Sequence, residues 1–139
     1  MSPTMIFALT IFSYFSGIGF LFSLIWSLKS DGAYKMLSMA AGFDLQQIAS
    51  SNEQTGKAMK FLLMDFTSQM LGLNLFAMLI LWIPFRNGEQ WAWLALWFYP
   101  FMFAWHYFHY AKGTRFSMVQ IAYCLLSSLA LILTYSHCC

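Results

Sequence analysis

Four long apolar runs, each about the length of a membrane span, dominate the sequence. They cover residues 5–28, 61–85, 91–111 and 116–135. A helix needs about 20 apolar residues to cross the hydrocarbon core of a bilayer. The runs are continuous rather than alternating and rich in Leu and Met, so they predict helices and not barrel strands. The pattern therefore predicts an all-α integral membrane protein, a four-transmembrane-helix up-down bundle that forms a single domain over residues 1–139.

The polar segments between these runs differ in length. Residues 86–90 and 112–115 are so short that they can only join antiparallel neighbours. The first loop, residues 29–60, is longer. Within it, residues 33–41 have apolar side chains on one face, which predicts a short interfacial helix on the membrane surface. Residues 44–56 are polar and predict a flexible segment.

Two local signals refine these predicted elements. Ser50 and Ser51 are candidate N-caps for the helix that leads into the second span. In the third span, Pro100 has no N–H to donate to the carbonyl of Leu96, so a kink is expected there.

Composition supports a membrane protein and excludes several other classes. Apolar residues make up 60% of the chain, aromatic residues 20% and charged residues only 9%, whereas a soluble domain has about 25% charged residues. A nucleic-acid binder would need a basic footprint that this chain lacks. Its three cysteines, two of them adjacent at Cys138 and Cys139, do not make a disulfide framework.

The basic residues are distributed unevenly between the two predicted sides of the membrane. Arg86 lies in the second loop, and the other six lie in the first and third loops: Lys29, Lys35, Lys57, Lys60, Lys112 and Arg115. The positive-inside rule therefore places the first and third loops in the cytoplasm and both termini outside. A bacterial inner membrane fits this bias best. The predicted topology also places Cys138 and Cys139, which resemble a prenylation signal, away from cytosolic transferases.

Each predicted span has one face of small or polar residues, which is typical of helix packing in membranes. In chain order these faces are Ser13, Ser16, Gly17, Phe20 and Ser27; Asp65, Gln69, Gly72 and Phe76; Ala95, Tyr99, Met102, His106, His109 and Gly113; and Gln120, Cys124, Ser127, Leu131 and Thr134. Asn74 lies outside these faces. It could bond a neighbouring helix or a partner subunit, and we favour the partner.

Several ionisable and amide side chains share a depth in the predicted bundle. A helix rises about 1.5 Å per residue. On that scale, five side chains lie within about 12 Å of the cytoplasmic ends of their spans: Asp65, Gln69, His106, His109 and Gln120. Tyr123 is adjacent to them. An ionisable group in a span is costly unless it is paired, so it is a candidate functional group.

Three interpretations of this layer stay open. In the first, Asp65 pairs with His106, Lys60 or Lys112 and only stabilises the bundle. In the second, the layer lines a hydrated pocket that moves protons or binds a polar head group. In the third, Asp65, His106 and His109 bind zinc or iron. The cofactor is unknown from the sequence, although a b-type haem is disfavoured because both membrane histidines lie on one span.

The hairpin between the second and third spans, residues 83–100 (IPFRNGEQWAWLALWFYP), resembles the Arg-x-Gly-Glu-x-Trp-Ala-Trp hairpin of small four-helix membrane proteins loosely related to the DoxX-like group. The resemblance implies a four-helix bundle and no particular activity. The topology is also similar to that of the membrane-associated eicosanoid and glutathione enzymes. The Arg-containing motif of that family is absent here, since residues 52–55 read NEQT.

The sequence favours a non-enzymatic role, as a small accessory or structural subunit of a larger membrane complex. The expected partners are the lipid bilayer and either other membrane subunits or further copies of the chain. The alternative is a small membrane enzyme or carrier whose cytoplasmic-side site, with Asp65, His106 and His109, acts on a lipid-like or protonated ligand.

Overall fold

The structure is a computed structural model that describes all residues, 1–139. It is all-helical and has no strands. Its helices are α1 (Pro3–Leu28), α2 (Ser30–Ala41), α3 (Leu45–Ser50), α4 (Glu53–Ile80) with a π-helical turn (Leu81–Phe85), α5 (Gln90–Leu96), α6 (Phe98–His109) and α7 (Arg115–Cys138).

Three of these helices are long and apolar enough to cross a membrane: α1, α7, and α4 together with its π-helical turn. The remaining predicted span forms two shorter helices, α5 and α6, which are separated at Trp97. Pro100 follows the break and cannot donate to the Leu96 carbonyl. The Trp97 N–H instead donates to the Leu94 carbonyl at 3.2 Å, in a tighter turn. The kink expected from Pro100 is thus an interruption of the helix.

The end of α4 is also shaped by a proline. Pro84 lies inside the π-helical turn, where it has no N–H to continue the α-helical pattern. The Arg86 N–H reaches back five residues to the Leu81 carbonyl at 3.1 Å. Such wide turns are typical of places where the regular hydrogen-bond pattern of an α-helix is interrupted.

The first loop is more ordered than its polar sequence predicts. Asp44 caps α3, and its Oδ1 accepts from the N–H groups of Gln46 and Gln47 at 2.9 and 3.1 Å. The N-cap of α4 is Asn52, which accepts from the Thr55 N–H at 2.8 Å. The prediction of Ser50 or Ser51 as that cap was therefore wrong. The prediction of a flexible 44–56 segment was wrong in part, since it contains α3.

A small apolar cluster joins α2 and α3 to the beginning of α4. Its buried members are Ala33, Tyr34 and Leu63. Burial, followed by the charge of Asp31, raises the pKa of the Tyr34 phenol. The neutral phenol is therefore the form that this cluster stabilises.

Helix α1 is the centre of the bundle. It packs against α4 on one side and α7 on the other, and α6 packs against α7. Helices α4 and α6 do not pack closely against each other. We call the end of the bundle that holds α2 and the α6–α7 turn the α2 end. The opposite end, which holds both chain termini, α5 and the π-helical turn, is called the termini end.

The predicted inward face is confirmed for α7 and wrong for α4. The buried residues of α7 include Gln120, Ser127, Leu131 and Thr134. On α4 the buried residues are Leu63, Thr67, Asn74, Ala77 and Ile80. The predicted α4 face of Asp65, Gln69, Gly72 and Phe76 is exposed. Helix α4 has polar residues on two faces, and periodicity alone does not say which face meets α1.

Candidate functional site

A central cavity of about 190 Å³ lies in the half of the bundle nearest the α2 end. Helix α1 forms one wall, α4 and α6 form the two sides, and α2 and α7 contribute lining residues. Eighteen of the 23 lining residues are hydrophobic, so the cavity suits an apolar or amphipathic molecule. The other five are Gly19, Ser23, Asn74, His106 and Gln120.

The cavity opens sideways because its two side walls do not meet. Phe66 of α4 and Phe98 of α6 both line it. Each keeps 42% of its surface exposed at the outside of the bundle. A molecule in the cavity therefore has a path out between α4 and α6, through a gap bordered by aromatic rings.

Helix α2 lies over one end of the cavity and is tied to the α6–α7 turn. Met36, Leu37 and Ala40 of α2 line the cavity, and the Ala40 carbonyl accepts from the Ala111 N–H at 2.8 Å. Gly42 ends α2 with φ +82°, and a Cβ there would lie 2.9 Å from Cβ of Ala111. Glycine is required at this junction by both its backbone angle and its neighbour.

The cavity has a polar spot where α6 and α7 face each other. Gln120 of α7 is 9% exposed, and its Oε1 has no hydrogen-bond partner. The half-buried His106 of α6 lies next to Gln120. The His106 ring stacks on Tyr110, with centroids 5.1 Å apart and planes 10° from parallel. Most buried polar groups in native proteins are paired, so the free Gln120 oxygen is a candidate acceptor for a further hydrogen bond.

Some other polar groups in or near the cavity have hydrogen-bond partners within the bundle. The Tyr99 hydroxyl and Ser16 Oγ are 2.5 Å apart, and Ser16 Oγ also donates to the Phe12 carbonyl at 2.9 Å. Asn74 Nδ2 donates to the Met70 carbonyl at 2.7 Å. These bonds stabilise the helices, and Gln120 Oε1 is the cavity-lining side-chain atom that is both fully buried and without a partner.

The structure brings together half of the residues predicted as a site. His106, Gln120 and Tyr123 line the same cavity, whereas Asp65, Gln69 and His109 are exposed outside it. Asp65 Oδ2 accepts from Gln69 Nε2 at 2.9 Å on the outer face of α4. His109 Nδ1 lies 2.9 Å from the Trp105 carbonyl. The ring of His109 stacks on Trp105 with centroids 4.4 Å apart.

Two interpretations of the predicted layer do not match this geometry. No group of three His, Cys, Asp or Glu side chains is placed to hold a metal ion, so Asp65, His106 and His109 do not form a shared metal centre. Asp65 also has no lysine partner. The ion pair of the structure joins Lys57 and Glu53 at 2.6 Å, and Lys112 donates to the Tyr107 carbonyl at 2.5 Å.

Sequence reasoning missed the contribution of α1 to the cavity. Gly19 and Ser23, one helical turn apart, line it together with Trp26. Asn74 is buried against the neighbouring helix α1, the alternative to the favoured partner interface. A Cβ on Gly19 would lie 2.5 Å from Asn74 Oδ1. The small residues at positions 19 and 23 were the signal that a neighbouring helix or ligand approaches α1 closely.

Comparisons with known proteins add no identification. A scan against protein families, a search of curated proteins and a search of solved structures each return no match for this chain. The resemblance of residues 83–100 to the DoxX-like group stays a prediction.

Proposed function

We propose that this chain is a four-span membrane protein that binds a lipid-like ligand in its central cavity, as a carrier or lipid-binding protein. The third span in this proposal is α5 and α6 together, which run from Gln90 to His109 with Trp97 between them. At about 1.5 Å per residue, that length approaches the roughly 30 Å of a hydrocarbon core. A carrier with a cytoplasmic-side site was the second of the two roles indicated by the sequence.

The observation that carries the proposal is the cavity itself. It is largely apolar, it opens between two spans, and it contains the unpaired oxygen of Gln120. Ligand sites in membrane and soluble proteins have this composition, an apolar wall with a few placed polar groups. A side opening between α4 and α6 faces the acyl chains of the bilayer when the helices span it.

The proposed orientation follows the basic residues. Lys29 precedes α2 and Lys35 lies within it. Lys112 lies in the α6–α7 turn, and Arg115 is the first residue of α7. Because cytoplasmic loops carry excess Lys and Arg, the α2 end would face the cytoplasm and both termini the outside. Helix α2 would then lie at the cytoplasmic surface of a bacterial inner membrane and cover the polar end of the cavity.

The test is to identify what the protein retains when it is extracted from its membrane in mild detergent. Mass spectrometry of the purified full-length chain is expected to find about one lipid-like molecule per chain. Ile18→Trp fills the cavity from its α1 wall and should remove that molecule. The control, Leu125→Trp, adds the same indole at an α7 side chain that is 66% exposed, and should retain it. Equal lipid content in the two variants would contradict the proposal.

A second candidate function, a subunit of a larger membrane complex, is favoured by one observation. The Asp65–Gln69 pair lies on the exposed face of α4, and a carboxylate in a span is costly unless it is covered or paired. A helix from another subunit or a second copy would cover it. Native mass spectrometry in mild detergent should then detect an assembly that Asp65→Leu dissociates and Glu53→Leu preserves. A wild-type protein that is monomeric under these conditions argues against this role.

A further inference from the structure

We infer that the ligand of the central cavity carries a neutral hydroxyl head group, held between Gln120 and His106, and a flexible apolar tail that leaves between α4 and α6. A long-chain alcohol or another hydroxyl lipid without a phosphate has this chemistry. The inference rests on the proposed function, and it adds the chemical class of the ligand and its orientation in the bundle.

The charge of the lining sets the first constraint on the head group. No Lys, Arg, Asp or Glu side chain lines the cavity. A phosphate or a carboxylate would therefore lose its hydration without gaining a counter-ion, which is costly at membrane depth. The same argument applies to an ammonium group, although aromatic rings attract cations. A neutral head group avoids both costs.

Hydrogen bonding sets the second constraint. Gln120 Oε1 is buried and unpaired, and the His106 imidazole lies beside it. A hydroxyl donates one hydrogen bond and accepts others, so it satisfies the amide in either orientation and the imidazole in either tautomer. A methyl ether of the same size has no hydrogen to donate. The polar spot therefore distinguishes an alcohol from its ether.

Volume and access set the third constraint. The cavity measures about 190 Å³, only slightly larger than the cavity of about 150 Å³ that accommodates one benzene. It holds a head group and the first few carbons of a chain. The remaining tail must pass the exposed rings of Phe66 and Phe98, where α4 and α6 stand apart.

The experiment compares four probes that share a dodecyl chain and differ in the head group: dodecanol, dodecyl methyl ether, dodecyl phosphate and dodecyltrimethylammonium. Binding to the full-length protein in nanodiscs is measured from the concentration dependence of thermal stabilisation. Dodecanol is expected to bind about tenfold more tightly than the ether, since it makes one further buried hydrogen bond. Gln120→Leu should weaken dodecanol binding about tenfold and leave ether binding unchanged.

Matched controls come from the predicted site residues that lie outside the cavity. Gln69→Leu and His109→Leu remove the same side chains from exposed positions, and both should bind dodecanol as the wild type does. His106→Leu should weaken dodecanol binding. Without a probe, Gln120→Leu should be at least as stable as the wild type, because it removes an unpaired buried oxygen. If the Gln120→Leu variant does not fold, Gln120→Met is used in its place.

The outcomes separate the inference from the function on which it rests. If no dodecyl probe stabilises the wild type, the proposed lipid binding itself fails. If the ether, phosphate or ammonium probe binds as tightly as dodecanol, the cavity binds lipids but the hydroxyl inference is overturned. The same holds if Gln120→Leu weakens all four probes equally, since the amide would then act only on the shape of the cavity.

Discussion

The two ends of the bundle use the same helices in different ways. At the termini end, α1, the π-helical turn and α7 pack so tightly that Phe12, Leu81, Phe85 and Leu131 have no exposed surface. At the α2 end, α1, α4 and α6 surround a cavity of about 190 Å³. One end of the bundle is therefore closely packed, whereas the other contains unfilled space.

Small residues accompany the close packing at the termini end. Ala8, Ala92 and Ala130 are fully buried at the termini end, and such small residues let helices approach closely. The Phe12 ring fills the remaining space, 6.3 Å from Phe85 and 5.3 Å from Tyr99 between centroids.

The cavity is lined by large as well as small residues. Phe66 of α4 and Phe98 of α6 both line it, and both remain partly exposed. Their rings border the gap between α4 and α6 instead of packing into a closed interface.

The largest effect is expected from a substitution in the packed end. Phe12→Ala removes a fully buried ring and should lower the free energy of unfolding by about 4 kcal/mol, because surrounding helices cannot close on the void. Met102→Ala is the counterpart at the cavity wall. It should cost less than about 2 kcal/mol, since its side chain already borders empty space. Unfolding titrations in mixed micelles measure the free energy of unfolding of both variants. Equal decreases would contradict the difference in packing between the two ends.

An intermediate effect is expected from the glycines of the two turns. Gly88 has φ +79°, and a Cβ there would lie 2.7 Å from the His137 carbonyl oxygen. Gly88→Ala should therefore destabilise the protein by about 2 kcal/mol, through both backbone strain and a clash.

Gly113 is the control in the turn at the α2 end. It has φ +76° but nothing within 4 Å of its Cβ position, so Gly113→Ala should cost about 1 kcal/mol from backbone strain alone. Thermal unfolding of both variants in the same detergent measures the two losses of stability. A larger loss of stability for Gly113→Ala than for Gly88→Ala would contradict the tighter packing at the termini end.

The smallest effect is expected where the packed end meets the cavity. Ser16→Ala removes the partner of the buried Tyr99 hydroxyl and should cost about 1 kcal/mol, as is typical of hydrogen bonds between membrane helices. Ser127 is equally buried but donates only to its own helix, to the carbonyls of Tyr123 and Cys124. Ser127→Ala should change stability by less than about 0.5 kcal/mol. A double-mutant cycle with Tyr99→Phe checks that the Ser16 effect is carried by this bond.

The sequence predicted the buried face of a helix only where the helix has one candidate face. On α7, Gln120 and Ser127 lie on a single polar stripe, and both are buried. Of the residues on the predicted stripe of α6, His106 reaches the cavity and His109 does not. On α4, both the Asp65 face and the Asn74 face carry polar groups, and the prediction chose the face that is exposed. Only contact with Gly19 of α1 distinguishes the two faces.

The sequence by itself determined that this chain is helical and apolar enough to span a membrane, because long continuous runs of apolar residues satisfy their backbone groups only as helices in lipid. It also indicated a kink at Pro100 in the third run. The tertiary structure decided which helix faces meet, where α4 and α6 stay apart, and that Gln120 and His106 share a cavity without Asp65. Those features depend on contacts between residues distant in the chain, and helical periodicity carries no information about which helix lies opposite.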